Sequence, residues 1–254
     1  MFVDTHCHLT KENYDDLEKL IKELEPNVLI INGIDNKTNK EVIELVNKYS
    51  HVYGALGIHP DEVEKCSDED LKFIESNLNN SKIVAIGEVG LDYYWNKENK
   101  EKQKDLFKKQ ITLALKFNKP LIIHSRDAIE DVYNILEEKY KQNSNLKFTL
   151  HCYSSSVEMA KRFVKINALF GIGGVLTFKN EKKLKEVVKE ISLNNIVLET
   201  DSPYLSPEPY RGKMNTPKNI LIIAKKIAEI KNVELEKVVE NTTKNAISQF
   251  DLKV

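Results

Sequence analysis

Only three of the 254 residues are cysteines, at positions 7, 66 and 152, an odd number with no CxxC spacing. That excludes a disulfide framework and fits free thiols in a reducing compartment. No apolar run approaches the roughly 18 residues that span a bilayer, which excludes a transmembrane helix. The first residues show no basic region followed by an apolar stretch and a small-residue cleavage site, so a cytoplasmic protein without membrane attachment is expected. An excess of charge is lacking too: 38 Lys and Arg face 39 Asp and Glu, a formal net charge of -1. With no global field to gather nucleic acid, any phosphate-binding charge has to be local. The glycines of FGIGG (Gly171, Gly173, Gly174) lack the dinucleotide-binding spacing, which leaves no nucleotide cofactor assigned. Their expected use is to let backbone or a ligand approach closely.

What the chain does have is a repeating alternation. Val- and Ile-rich runs at 2–6, 27–34, 52–59, 82–90, 120–126, 147–154, 168–174 and 196–203 read as strands buried on both faces. Between them, stretches such as DDLEKLIKELE and KQKDLFKKQITLALKF place apolar residues at three- and four-residue spacing, as amphipathic helices do. Segments 36–49, 62–78, 128–140, 157–164 and 182–191 read likewise. Eight alternations without a long low-complexity linker fit a (β/α)8 TIM barrel, a single α/β domain over residues 1–254. NTPKNILIIAKKIAEI reads as the last outer helix, with Thr216 as N-cap and Pro217 in its first turn. VELEKVVENTTKNAISQF reads as a further short helical segment.

The opening MFVDTHCHLT places two histidines one residue apart. On a strand, residues two apart share a side, so Asp4, His6 and His8 face one way and Thr5 and Cys7 the other. An HxH pair alone is a weak metal signal. Further strands, however, end in residues of the same chemistry: His59 in GIHP, Glu88 in GEVGLDYY, His124 in IIHSRDA, His151 in TLHCYSS and Asp201 in ETDSPYL. In a barrel all carboxyl ends face one site. His6, His8, Glu88, His124, His151 and Asp201 form a mixed nitrogen and oxygen cluster, and burying so many ionisable groups together without a cation is expensive. The set is large enough for two metals. Four imidazoles suit Zn, Fe, Ni or Mn better than Mg, which prefers oxygen ligands.

At these residues the sequence resembles the TatD family of metal-dependent deoxyribonucleases, within the wider amidohydrolase-like barrels. The likeness runs through FVDTHCHL, GIHP, GEVGLDYY, PLIIHSRDA, HCYS, ETDSPYL and RGKMNTP, nearly the whole chain. The resemblance implies one ion held by His6, His8 and Asp201, a second held by His124 and His151, and Glu88 bridging them. RGKMNTP departs from the family, which more often has a basic residue at Met214. Related barrels acting on cyclic amides or phosphotriesters often bridge their metals with a carboxylated lysine. No lysine lies between Ile83 and Tyr94, which argues for phosphodiester chemistry by analogy.

The mechanism expected from this set is hydrolysis by an activated water, with Asp201 accepting or orienting its proton and His59 as a secondary acid or phosphate contact. Arg126 and Arg211 can each offer a bidentate fork to phosphate. Tyr93, Tyr94 and Trp95 can stack a base. Asp4 is expected behind a ligand histidine or on backbone, Cys7 and Cys152 in the barrel wall, and His51 on the surface. The leading expectation is a DNase acting from an end or on single strands, in the manner of a 3′-to-5′ exonuclease, because a near-neutral chain lacks a long basic track for duplex. DNA is the expected partner, with no obligate protein partner. Two other readings stay open: hydrolysis of another ester or amide, as by an aminoacyl-tRNA deacylase or cyclic amidase, and a metal-stabilised barrel that binds without turnover.

Overall fold

A computed structural model describes residues 1–254. The apolar runs form eight strands: β1 (Val3–Cys7), β2 (Val28–Asn32), β3 (Val52–Leu56), β4 (Ile83–Asp92), β5 (Leu121–Arg126), β6 (Phe148–Leu150), β7 (Leu169–Ile172) and β8 (Ile196–Leu198). Each pairs in parallel with the next, in the order β1 to β8. The helices between them are α1 (Leu17–Glu23), α2 (Asn36–Lys48), α3 (Asp68–Asn77), α4 (Lys100–Phe117), α5 (Ile129–Gln142), α6 (Val157–Val164) and α7 (Lys183–Glu190). Two more, α8 (Ile220–Lys231) and α9 (Leu235–Phe250), follow the last strand. This is the (β/α)8 barrel.

Strand alternation divides the core in two. Leu29, Ile31, Leu56, Ile86 and Ile123 join a large cluster with helical residues such as Phe107, Ile111, Phe163 and Ile227. Val28, Ile30, Tyr53, Val84, Ile122 and Val197, near the strand beginnings, form a second cluster that also takes in Ala246 and Phe250 of α9. That helix therefore seals the amino-terminal end of the barrel and leaves the carboxyl end open for chemistry. The seam between β1 and β8 is drawn together at that open end. The Asp201 N–H donates to the His6 carbonyl at 2.9 Å and the His8 N–H to the Ser202 carbonyl at 2.7 Å.

Several elements differ from the sequence reading. The sixth and eighth strands stop at Leu150 and Leu198, short of Cys152 and Asp201, whose positive φ of 44° and 54° lies outside the extended region. The fourth runs two residues further, to Asp92. The helix expected over 62–78 divides into a 3₁₀ turn at Pro60–Glu62 and α3, which starts afresh at the Ser67 cap. Pro217 opens a 3₁₀ turn, and Thr216 makes no side-chain capping bond. The final segment is a full helix of 16 residues. His51 is buried, not on the surface, with Nε2 3.1 Å from the Ile21 carbonyl oxygen. All three cysteines are free, Cys7 within the large cluster. No helix is long and apolar enough to cross a membrane.

Candidate metal centre

Six side chains meet at the carboxyl end of the barrel. A register shift between Asp4 and Cys7 in β1, and another between Ile86 and Val89 in β4, lie at the histidine pair and at Glu88, where bulges commonly re-aim side chains. His6 Nε2 and His8 Nε2 stand 3.0 Å apart. Glu88 Oε2 is 3.4 and 3.3 Å from them, and Asp201 Oδ1 is 3.5 and 3.6 Å from them. The other oxygen, Oε1, lies 2.9 Å from His124 Nδ1 and 2.9 Å from His151 Nε2, which are 3.3 Å from each other. Glu88 thus divides the site, one oxygen towards each group of ligand atoms.

Partners behind the rings set which nitrogen faces inward. His8 Nδ1 donates to the Asn32 carbonyl at 3.1 Å, leaving Nε2 for the site. His124 Nε2 donates to Asp92 Oδ2 at 2.9 Å, leaving Nδ1. Glu199, behind His151, has Oε1 3.7 Å from its Nδ1. The sequence reading passed over Asp92 and Glu199. Alternation along β4 places Asp92 on the same face as Glu88, so extending that strand two residues would have found it. Glu199 stands two residues before Asp201 and gave the same kind of signal. Asp4 touches no ligand ring. Its carboxylate accepts from the Thr200 N–H at 2.9 Å and the His6 N–H at 3.3 Å, tying β1 to the segment after β8.

The ionisation pattern shows what burying this cluster requires. Burial favours neutral carboxyls, yet the neighbouring imidazoles prevail: Glu88 lies well below its ordinary value and Asp201 below its own. Burial also opposes histidine charge, but bonds to Asp201 and Glu88 bring His8 up to about 10. His124 rises against burial through Asp92 and Glu88, and His151 rises well above the ordinary range through Glu88 and Glu199. Burial prevails at His6, which goes down. Carboxylates this deep favour positive charge beside them, and the upward shifts of His8, His124 and His151 have that cause.

The donor set fits metal ions. With metal–nitrogen bonds of about 2.0–2.1 Å, ligand atoms around one tetrahedral ion lie roughly 3.4 Å apart. The spacings here are 2.9–3.6 Å. Three overlapping groups have ligand atoms within 4.8 Å of one another: His6, Glu88 and His151; His6, His8 and Asp201; and His59, Glu88 and His124. They open into a cleft of about 730 Å³ that is also lined by Arg126, Trp95 and Tyr204.

Around the cleft, the residues expected to meet substrate divide. Arg126 lines it, its guanidinium 3.7 Å from the Tyr94 ring centroid and 5.3 Å from that of Trp95. Tyr93 does not line it: the side chain is 5% exposed and its hydroxyl donates to Asp131 at 2.7 Å, which corrects its expected stacking role. Trp95, 67% exposed, offers the ring instead. Arg211 is exposed outside the cleft lining, over the Phe178 ring at 4.2 Å, so a phosphate contact there lacks a place in the cleft. Met214 is exposed on the same loop. Asn215, not singled out from sequence, fastens that loop by donating to the Thr200 and Tyr204 carbonyls, each at 2.8 Å.

A parallel eight-stranded barrel with clustered histidines and carboxylates at its open end defines the class of metal-dependent amidohydrolase-like barrels. The family model for TatD-related DNases matches residues 3–251, and the chain belongs to that family. It is 42% identical to the metal-dependent hydrolase YabD of Bacillus subtilis strain 168, over 98% of this chain and 99% of that protein. Among solved structures it is similar to YjjV, a TatD homologue from Escherichia coli K12, with TM-score 0.92 and 27% identity, covering 99% and 98% of the two chains. A TatD-family hydrolase from Entamoeba histolytica matches with TM-score 0.84 and 25% identity, covering 98% and 97%. The chain is a TatD-family metal-dependent hydrolase.

Proposed function

We propose that this protein is a deoxyribonuclease that hydrolyses DNA phosphodiesters with two divalent cations, acting on single strands or at ends, in a reducing cytoplasmic compartment. The observation that carries the reading is Glu88, whose two carboxylate oxygens face two separate ligand groups. In this assignment His6, His8 and Asp201 would hold one cation and His124 and His151 the other, with Glu88 shared between them. Two cations bound there supply Lewis acidity to the phosphate and lower the pKa of a nucleophilic water. Asp201, held ionised below its ordinary range, accepts or orients the proton that this water gives up. His59 donates a hydrogen bond to the phosphate, Arg126 supplies a second donor, and Trp95 stacks an unpaired base. A formal net charge of -1 and one cleft arginine favour a short single-stranded segment over a duplex.

The test is cleavage of an end-labelled single-stranded oligonucleotide by protein reconstituted with Mn²⁺ or Zn²⁺. Stepwise shortening is expected, and EDTA or Glu88→Gln abolishes it. An intact oligonucleotide despite two cations bound per chain overturns the DNase reading in favour of another ester or amide. Full metal content and full turnover in Glu88→Gln overturn the bridging role.

A further inference from the structure

We propose that Glu199 is a positioning residue that holds the His151 ring through Nδ1 and so keeps its Nε2 turned towards Glu88. The inference rests on the metal-site reading above and gives a role to a side chain that reading does not use. Glu199 is completely buried just after β8. Its Oε1 accepts from the Cys152 N–H at 2.5 Å and lies 3.7 Å from His151 Nδ1. One carboxylate therefore reaches both the backbone next to this ligand and the back of its ring.

The unpartnered nitrogen of the ring points the same way. His151 Nδ1 and Glu199 Oε2 are both buried without a hydrogen-bond partner. His151 is the only basic group within 4.0 Å of the carboxylate. A small turn of the imidazole brings Nδ1–H to Glu199 Oε1, which also takes the Cys152 N–H, and so satisfies a donor that is otherwise costly to bury. Catalytic hydrogen bonds are commonly longer before a site is filled.

The neighbouring strand is shaped around this carboxylate. A Cβ on Gly171 would overlap Glu199 Oε2, and one on Gly173 would lie 3.6 Å from Glu199 Cγ. Gly171 of FGIGG thus admits a side chain, while a Cβ on Gly174 would overlap the Leu205 carbonyl oxygen, the close backbone approach that the sequence suggested. His124 has the same kind of support, from Asp92 at 2.9 Å, so both rings on the Oε1 side of Glu88 are backed by carboxylates. On the other side, His8 is backed by a carbonyl and His6 Nδ1 has no partner. Carboxylates behind ligand histidines fix the tautomer and raise basicity.

The experiment is Zn²⁺ titration of the full chain against a chromophoric chelator. Glu199→Gln is expected to weaken one of two zinc equivalents by about 10–100-fold and to leave the other unchanged. In a His151→Ala background the same substitution is expected to have no further effect. Unchanged zinc affinity with only a lowered Tm, or an equal loss with and without His151, overturns the proposal. A measurement on wild type needs no variant to fold: ¹⁵N NMR of the His151 ring should show an Nδ1–H shifted by a hydrogen bond to a carboxylate, and an Nδ1 that is unprotonated or carries a proton without that bond overturns the assignment. Absence of zinc uptake by wild type defeats the two-cation reading, while the Nδ1 state still decides the role of Glu199. None of these readouts depends on DNA being the substrate.

Discussion

His59 Nε2 lies 3.5 Å from Glu88 Oε1, close enough to be counted among the ligands. Its Nδ1, however, accepts from the Asp61 N–H at 3.2 Å, so the neutral ring carries its proton on Nε2, aimed at the cleft. Burial depresses its pKa to about 3, despite the pull of Glu88. A neutral ring with Nε2–H is a donor to substrate and not a ligand in that tautomer. His59→Ala is therefore expected to keep the metal content of the wild type and to lose turnover by about 100-fold, the scale of one lost donor to a developing anion. Elemental analysis beside kinetics checks this, and loss of a cation would make His59 a ligand instead. At this scale the sequence showed which chemistry was present but not who stood behind it. Four histidines, Glu88 and Asp201 could be read from their places at strand ends. Asp92 and Glu199 share strand alternation with Glu88 and Asp201, but that each stands behind a ring is a distance through space. Tyr93 and Trp95 could not be told apart, since which ring turns inward depends on how the chain leaves β4.

Elements were legible where periodicity is long. Helices α2, α4, α5 and α6 lie where three- and four-residue spacing put them, because one apolar face must reach the sheet whatever the tertiary details. Strand ends were less legible. Cys152 and Asp201 leave the extended region under contacts made across the barrel mouth, which a local pattern does not contain. The largest difference is at α9, whose pattern suggested a further short helical segment and which runs to 16 residues. Phe250 is buried with Val3, Val28 and Ile30, so this helix completes the inner core from below. Phe250→Ala is expected to cost about 3–5 kcal/mol of stability, as large core truncations do. Urea unfolding of the zinc-loaded protein measures the loss, and zinc affinity should barely change because the metal centre lies at the opposite end. A fall in affinity matching the fall in stability would show instead that the two ends are coupled.

For the whole molecule, the ligand cluster makes stability depend on both pH and metal. His8, raised from 6.5 to about 10, stabilises the metal-free fold fully below 6.5 and ceases to do so as pH climbs towards 10; His124 and His151 shift in the same direction. Glu88 and Asp201 are lowered, so their contributions are present above 4.5 and 3.8 and vanish as pH falls. His6 and His59 are lowered and oppose His8, His124 and His151, which outnumber them. Chelated protein should therefore melt lower at pH 8 than at pH 6. Metal ions compete with these protons, so affinity rises with pH and the Tm gap between loaded and chelated protein widens from pH 6 to pH 8. Scanning calorimetry with zinc and with EDTA at both values checks this, and a gap that narrows would mean that protons and metal do not share the ligands. The sequence by itself determined the eightfold alternation and the residue types at the strand ends, because both are local properties of spacing and chemistry. Only the tertiary structure decided the division of Glu88 between two ligand groups, the carboxylates behind His124 and His151, and the helix that closes the barrel. Each of these is a distance between residues far apart in the chain, and it exists only once the strands have closed into a ring.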